Sequence, residues 1–204
     1  MPVDPFTPIP IGSAAWGTPL NTAIAELDSN QEPKAADQGM IAWQFDHATN
    51  MVASTITSGT VSWSKLWIRQ PVTVTNVCAH IGTVGAALVA GQNFGGLYDA
   101  AGNRLGVTAD QTANWGTTGF KEMALTAPVV IAAPGYFYVA LLSNAGTTPS
   151  FARGSALVAT IPNAKLTATT ARFATGPAAQ TTLPVSVTMS SRTLSGNALW
   201  AAVS

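Results

Sequence analysis

Short segments in which apolar and polar residues alternate dominate the chain from residue 39 onwards. Alternation with a period of two indicates strands with one buried face, and glycine and proline turns separate the segments. The pattern predicts an all-β domain over residues 39–204, an antiparallel, jelly-roll-like β-sandwich. The predicted strands are 40–45, 61–68, 72–81, 91–99, 104–107, 120–125, 129–132, 136–142, 155–161, 164–168, 183–189 and 197–203.

The segment 61–68 changes phase along its length. Trp63 and Trp67 alternate with serines, and Leu66 and Ile68 then take the opposite phase. Such a change predicts either a β-bulge or a strand that is covered on both faces near its end. The tryptophans here, like Trp43 and Trp200, are therefore expected in the core or in a subunit interface.

Two further segments specify the middle of the sandwich. The run 136–142 is apolar at consecutive positions, which predicts a central strand buried on both faces. Asp99 and Gly102 lie between the segments 91–99 and 104–107. Because aspartate opens tight turns and glycine adopts positive φ, they predict a β-hairpin at this point.

A single amphipathic helix is predicted before the strands, over residues 18–28. Thr18 can cap it, and Pro19 fits its first position without needing an amide hydrogen. One apolar stripe runs along it, formed by Leu20, Ala23, Ile24 and Leu27. A helix of this length needs a partner surface. Either it packs on its own β domain or, as we prefer, it forms the seam of a homotrimer.

An extended arm precedes the helix, because prolines recur at positions 2, 5, 8 and 10. Residues 1–38 are therefore predicted to be an attachment arm and oligomerisation helix, with residues 1–30 as the anchoring part. The apolar residues expected to attach are Phe6, Ile9, Ile11 and Trp16.

Charge is scarce and unevenly distributed. Only 9% of residues are charged and the net charge is zero. The zero net charge argues against a nucleic-acid partner, which requires clustered Lys and Arg. Residues 1–46 contain six acids and one lysine, whereas residues 47–204 contain three acids and eight basic residues. An acidic arm could attract a basic body between subunits or dock on a basic partner, or the asymmetry could be a chance distribution.

Targeting signals are not apparent. The N-terminus lacks the basic and apolar regions of a signal peptide, so synthesis and assembly in a cytoplasm are expected. The uncharged run 123–142 is divided by Pro128, Pro134 and Gly135, which predicts two strands and a turn and no membrane partner. Cys78 is the single cysteine, so no intrachain disulfide forms.

Several blocks resemble a β-sandwich domain of tail-fibre and minor tail proteins of phages of actinobacteria. The resemblance covers roughly residues 60–155, and the arm and helix are similar in kind to the attachment segments of such fibres. The blocks that carry it are 93–102, 108–116, 120–125, 134–142 and 149–153.

The resemblance implies a bacteriophage virion protein: a homotrimeric surface appendage, attached to other virion proteins by its N-terminus, with the sandwich presented outward. It transfers no binding residue to this chain. A capsid decoration or head-fibre protein built on the same module is an alternative, and a carbohydrate-binding module without a virion role is another.

Catalytic chemistry is not predicted, and neither is a cofactor or a metal site. His47 and His80 are isolated, and no nucleophile elbow, zinc motif or phosphate-binding glycine loop is present. A glycosidase needs two carboxylates about 5–10 Å apart. Most of the sandwich offers Asp99, Asp110 and Glu122 alone, and Asp99 is better explained by its turn.

Binding of a host cell-surface glycan is the more specific functional hypothesis, because aromatic rings stack on sugar rings. Trp115, in a polar loop, is the leading candidate and Tyr98 is the second. The favoured alternative for Trp115 is that it folds back as a lid over the sandwich, since large aromatic side chains in loops usually bury most of their area.

Overall fold

Antiparallel β-strands form most of the regular structure in the described part of the chain. The computed structural model describes residues 34–46, 48, 52–154 and 161–204. The predicted arm and helix therefore lie outside the described residues, together with Phe6, Ile9, Ile11, Trp16, Leu20, Ala23, Ile24 and Leu27. Residues Ala35–Ser204 form one compact unit.

Most strands are short. In the described residues three single 3₁₀ turns accompany them, Ala35–Gln38, Asn114–Gly116 and Met189–Ser191. In chain order the strands are β1 (Ala42–Trp43), β2 (Val52–Thr55), β3 (Ser62–Ile68), β4 (Val72–Thr83), β5 (Ala86–Leu88), β6 (Phe94–Tyr98), β7 (Arg104–Val107), β8 (Gly119–Ile131), β9 (Gly135–Leu142), β10 (Ala145–Thr147), β11 (Ser150–Arg153), β12 (Phe173–Thr175), β13 (Thr193–Leu194) and β14 (Ala202–Val203). The four longest are β3, β4, β8 and β9.

Two six-stranded antiparallel sheets share one core. The first sheet has the order β1-β14-β4-β11-β2, and β8, which lies off this path, also pairs with β4. The second sheet has the order β13-β12-β3-β9-β6-β7, and β5 pairs with β10 separately. The all-β, sandwich-like class predicted from the sequence is confirmed.

The main core lies between the two sheets. Val77 and Ile81 of β4 pack in one cluster with Leu66 and Ile68 of β3, and Trp115 joins them from the connection before β8. All five side chains are almost completely buried. Burial of each leucine-sized side chain contributes about 1.5–3 kcal/mol to the stability of the folded state. This cluster is therefore the main stabilising element of the sandwich.

The phase change in β3 comes from burial on both faces. Leu66 and Ile68 face the main core, whereas Trp63 belongs to a second cluster on the opposite face. Pairing between β3 and β9 runs without a register shift, so there is no bulge. Neither predicted explanation holds as stated: the strand is covered on both faces, but at its beginning and not near its end, where Trp67 is exposed.

A β-bulge interrupts β4. The amides of Thr75 and Asn76 both donate to the carbonyl of Ser204, at 2.8 and 2.9 Å. The register against β8 also shifts here, but in that pairing the additional residues belong to β8, because one residue between Val74 and Asn76 stands opposite four between Val129 and Ala124. The extra residue in β4 moves the buried positions from the even to the odd phase along the strand.

Pro128 does not end a strand as the sequence suggests. The predicted strands 120–125 and 129–132 are one continuous strand, β8. Pro128 falls where the register against β4 shifts, and proline is tolerated at such an irregularity because its missing amide hydrogen removes no ladder bond. The predicted turn before β9 is confirmed, and β9 is central, between β3 and β6.

In residues 161–204 most strands lie at other positions than predicted. Residues 164–168 and 183–189 form no regular strand, and only Ala202–Val203 of 197–203 does. The unpredicted β12 pairs with β3. Residues 176–192, the covering segment, cross the outer face of the second sheet as irregular chain, and the segment's Leu183, Val187 and Met189 pack there. Of the predicted strand 155–161, only residue 161 is described.

Candidate functional site

Trp115, the leading glycan candidate from the sequence, lies in the core and not at the surface. Its side chain is completely buried. The ring packs edge-on against Phe151, with centroids 5.2 Å apart, and Nε1 donates to the sulfur of Met123 at 3.3 Å. The turn Asn114–Gly116 folds this residue inward. The prediction of a glycan contact is therefore wrong for this structure, and the alternative of a ring folded back over the core is correct.

Tyr98, the second candidate, is also completely buried. It stands edge-on to Trp63 at 4.7 Å between centroids, and its hydroxyl donates to the carbonyl of Pro184 at 2.6 Å. Burial raises the pKa of this phenol. The covering segment encloses the ring, and for this reason Tyr98 offers no face to a ligand.

Two exposed aromatic rings lie side by side elsewhere, on the outer face of the second sheet. Trp67 of β3 is 41% exposed, and Tyr136 of β9 is 52% exposed. They are directly opposite each other in the β3–β9 pairing, and their ring centroids are 4.6 Å apart at an interplanar angle of 65°. The two rings form an open angle and not a flat platform.

Alternation along the strands explains why these rings are exposed. Trp63, Lys65 and Trp67 lie on one face of β3, and Tyr136 and Tyr138 lie on the same face of β9. The covering segment and its neighbours bury Trp63 and Tyr138 but leave Trp67 and Tyr136 open. The exposed surface is thus the uncovered end of an otherwise covered sheet.

Lys65 completes this surface, which we call the aromatic corner (Lys65, Trp67 and Tyr136). Its Nζ lies 4.0 Å from the centroid of the Tyr136 ring and donates to the carbonyl of Thr170 at 3.2 Å. An ammonium over a ring face is a favourable cation–π arrangement. Burial, together with the positive charges of Arg192 and Arg172, lowers the pKa of Lys65.

Arg192 lies beneath the aromatic corner. It is 4% exposed, and its guanidinium carbon is 4.5 Å from the centroid of Tyr138. It donates to the carbonyls of Met189, Ala168 and Thr169. Its Nη1 has no hydrogen-bond partner among the described residues. A buried guanidinium retains its charge, so it adds positive potential under the corner.

The carboxylates of Asp99, Asp110 and Glu122 are engaged in separate parts of the fold. Asp99 accepts from the backbone and side-chain nitrogens of Asn103 at 2.8 and 2.9 Å, which closes the predicted hairpin turn. Asp110 accepts from the amide of Asn93 at 3.1 Å. Glu122 accepts from the hydroxyl of Ser204 at 2.5 Å. Each one stabilises local structure.

The described part of the chain offers neither a reactive thiol nor a cluster of metal-binding side chains. Cys78 is completely buried, and burial raises its pKa to about 11, so the reactive thiolate is scarce at neutral pH. Within residues 34–46, 48, 52–154 and 161–204, no three His, Cys, Asp or Glu side chains are grouped to hold a metal ion.

Sequence reasoning assigned Trp67 to the core or an interface and did not consider Lys65 or Tyr136. The available signal was the alternation itself. Once Leu66 and Ile68 are assigned to the buried face, Lys65 and Trp67 must share the opposite face. What covers that face depends on distant residues, and alternation contains no information about them.

Comparison with known proteins adds no relative. No protein-family model matches the chain, and no curated protein or solved structure matches it. None of the short helical turns in the described residues has the length or apolar character needed to cross a bilayer. The function has to be inferred from the chain's own residues.

Proposed function

We propose that the chain is a structural protein of a bacteriophage virion. It is a homotrimeric surface appendage of the tail-fibre or minor-tail type, assembled in the host cytoplasm and attached to other virion proteins through residues 1–30. A jelly-roll-like sandwich is presented outward and contributes to host-surface attachment. The proposal includes no catalysis, cofactor, nucleic-acid partner or membrane partner.

The observation that carries the proposal is that Ala35–Ser204 form one compact β unit whose main core is shared by both sheets. A domain displayed on a particle has to be stable without contributions from its anchor. The blocks that resemble phage appendage domains include the buried Trp115 and the Asp99–Gly102 turn. The resemblance therefore involves residues that determine the fold, which supports a shared architecture.

The aromatic corner supports a role in attachment, because exposed aromatic rings on a β-sandwich suit the apolar faces of sugar rings. The same corner favours a second candidate function, a carbohydrate-binding module without a virion role. A capsid decoration or head-fibre protein remains the structural alternative.

Electron microscopy of phage particles labelled with antibody to this chain distinguishes a tail location from a capsid location. Particles that bind no antibody would contradict a virion role.

Charged substitutions on the predicted helix are expected to dissociate the trimer. With Leu20→Asp and Ile24→Asp together, two carboxylates enter the predicted apolar seam, where burial of an unpaired charge is strongly unfavourable. Light scattering should report three copies of the 20.9 kDa chain for the parent and one copy for the variant. The melting temperature of the sandwich should be unchanged in the variant.

The matched control adds the same two charges beside the stripe. Asn21→Asp with Ala25→Asp should leave the trimer intact. A parent chain that is monomeric at micromolar concentration, or a control that dissociates as completely as the stripe variant, would refute the proposed trimer seam.

A further inference from the structure

Positive charge surrounds the aromatic corner. The Nζ of Lys65 lies over Tyr136, and the amide of Lys65 donates to the carbonyl of Arg172 at 2.8 Å, which brings the exposed Arg172 beside it. Arg192 is buried below, against Tyr138. The charges that act on Lys65 are both positive, those of Arg192 and Arg172.

No acidic residue in the elements that build the corner offsets this charge. Strands β3 and β9 contain no Asp or Glu, and neither do residues 161–204, which supply Arg172 and Arg192. Three cations thus cluster in a chain with 9% charged residues. Charges of one sign beside partly desolvated walls attract a ligand of the opposite sign.

The exposed rings and the ammonium of Lys65, 4.0 Å from the centroid of Tyr136, lie within the reach of one sugar residue. We propose that the aromatic corner binds an anionic polysaccharide whose sugar rings carry carboxylate groups, that is, a uronic acid polymer. A sugar ring stacks in the angle between Trp67 and Tyr136, and its carboxylate accepts from Lys65 and Arg172. This deepens the proposed attachment role and rests on it.

The distance between the charge and the ring favours a carboxylate over a phosphate. The Nζ of Lys65 is 4.0 Å from the centroid of Tyr136, so an anion bound there lies directly beside a sugar stacked on the rings. In a uronic acid the carboxylate is bonded to a ring carbon, which meets that requirement. In a phosphodiester-linked glycan the charge lies between the sugars, farther from the stacked ring.

The test uses isothermal titration of the full chain with oligogalacturonate and with its methyl ester, which has the same rings without the charge. Binding to the acid form is expected, and binding to the ester should be about tenfold weaker, because the neutral ester cannot form a hydrogen bond between two charged groups. Binding of the acid form should weaken as salt is added, since the site is partly exposed.

Variants assign the binding to the corner. Trp67→Ala and Lys65→Gln should each weaken binding about tenfold, whereas Lys65→Arg, which keeps the charge, should bind nearly as the parent. Phe120 and Lys121 provide the matched control, an exposed aromatic side chain and a lysine on β8 of the first sheet. Phe120→Ala and Lys121→Gln should leave binding unchanged.

Several outcomes would overturn the inference. They are equal binding of acid and ester, tighter binding of poly(glycerol phosphate) than of oligogalacturonate, or an equal loss in the β8 controls. A changed oligomer mass for Lys65→Gln would assign the corner to contacts with the acidic arm of another copy. If the chain is a trimer but binds no uronate, the uronate-binding inference is refuted and the proposed trimer is not. If the chain is a monomer that binds uronate, the proposed trimeric appendage is refuted and the uronate-binding inference is not.

Discussion

Trp115→Ala is expected to lower the free energy of unfolding of the sandwich by about 3–5 kcal/mol, the range typical of large buried aromatic side chains. The ring is completely buried, packs edge-on against Phe151 and donates to the sulfur of Met123. Alanine would leave a cavity between the sheets, and these partners would lose their contacts. Chemical denaturation followed by circular dichroism measures the change.

Trp67→Ala is the matched control for this experiment, since it removes the same side chain from a site that is 41% exposed. Its cost should be smaller than that of Trp115→Ala, because a partly exposed side chain buries less apolar area and its loss leaves no closed cavity. If the two variants lose similar stability, Trp115 is not packed as the structure places it. If Trp115→Ala instead abolishes glycan binding in a fully stable protein, the loop hypothesis from the sequence is restored.

Gly102→Ala is expected to destabilise the sandwich by about 2–4 kcal/mol, since it combines a strained backbone with a steric clash. Gly102 has φ of +94° at the turn between β6 and β7. A β-carbon there would lie 2.2 Å from the carbonyl oxygen of Val187. The carbonyl of Gly102 accepts a hydrogen bond from the amide of Val187 at 2.9 Å. The substitution should therefore also loosen the covering segment.

Gly116→Ala is the corresponding control, because a β-carbon at that position meets nothing within 4 Å. It should change the free energy of unfolding by less than about 1 kcal/mol. Thermal melting of both variants tests the pair. Equal melting temperatures would contradict the close contact between the hairpin turn and the covering segment.

Local patterns were sufficient to predict the centre of the fold. The apolar run that became β9 predicted a central strand because both of its faces had to be buried. The turn at Asp99 and Gly102 was predicted because aspartate and glycine have specific backbone roles, and the structure places both in those roles. Both predictions depend on a few neighbouring residues, so they can be made without knowledge of the rest of the chain.

Tertiary context decided the rest. Leu183 and Val187 alternate as strand residues do, but the backbone there bonds to the hairpin. The amide of Arg104 donates to the carbonyl of Val185 at 2.9 Å, and the amide of Val187 donates to that of Gly102. Apolar alternation reports which side chains are buried, not whether the backbone continues a ladder.

The candidate site illustrates the same limit. A tryptophan in a polar loop and a tryptophan in an alternating strand suggest exposed and buried positions respectively. The structure reverses the assignment of Trp67, which is exposed because the covering segment stops short of it. For Trp115 it agrees with the favoured alternative, since a helical turn folds the ring inward. The trimer seam through Leu20, Ile24 and Leu27 stays a prediction.

The most direct measurement of the central claim, that the aromatic corner is the surface that contacts the target, is heteronuclear NMR of the indole N–H groups. The chain has six tryptophans, and a Trp67→Phe variant assigns the signal of Trp67. Oligogalacturonate should shift the Trp67 signal and leave that of the buried Trp115 in place. Binding that shifts other indole signals while that of Trp67 stays unchanged would contradict the account.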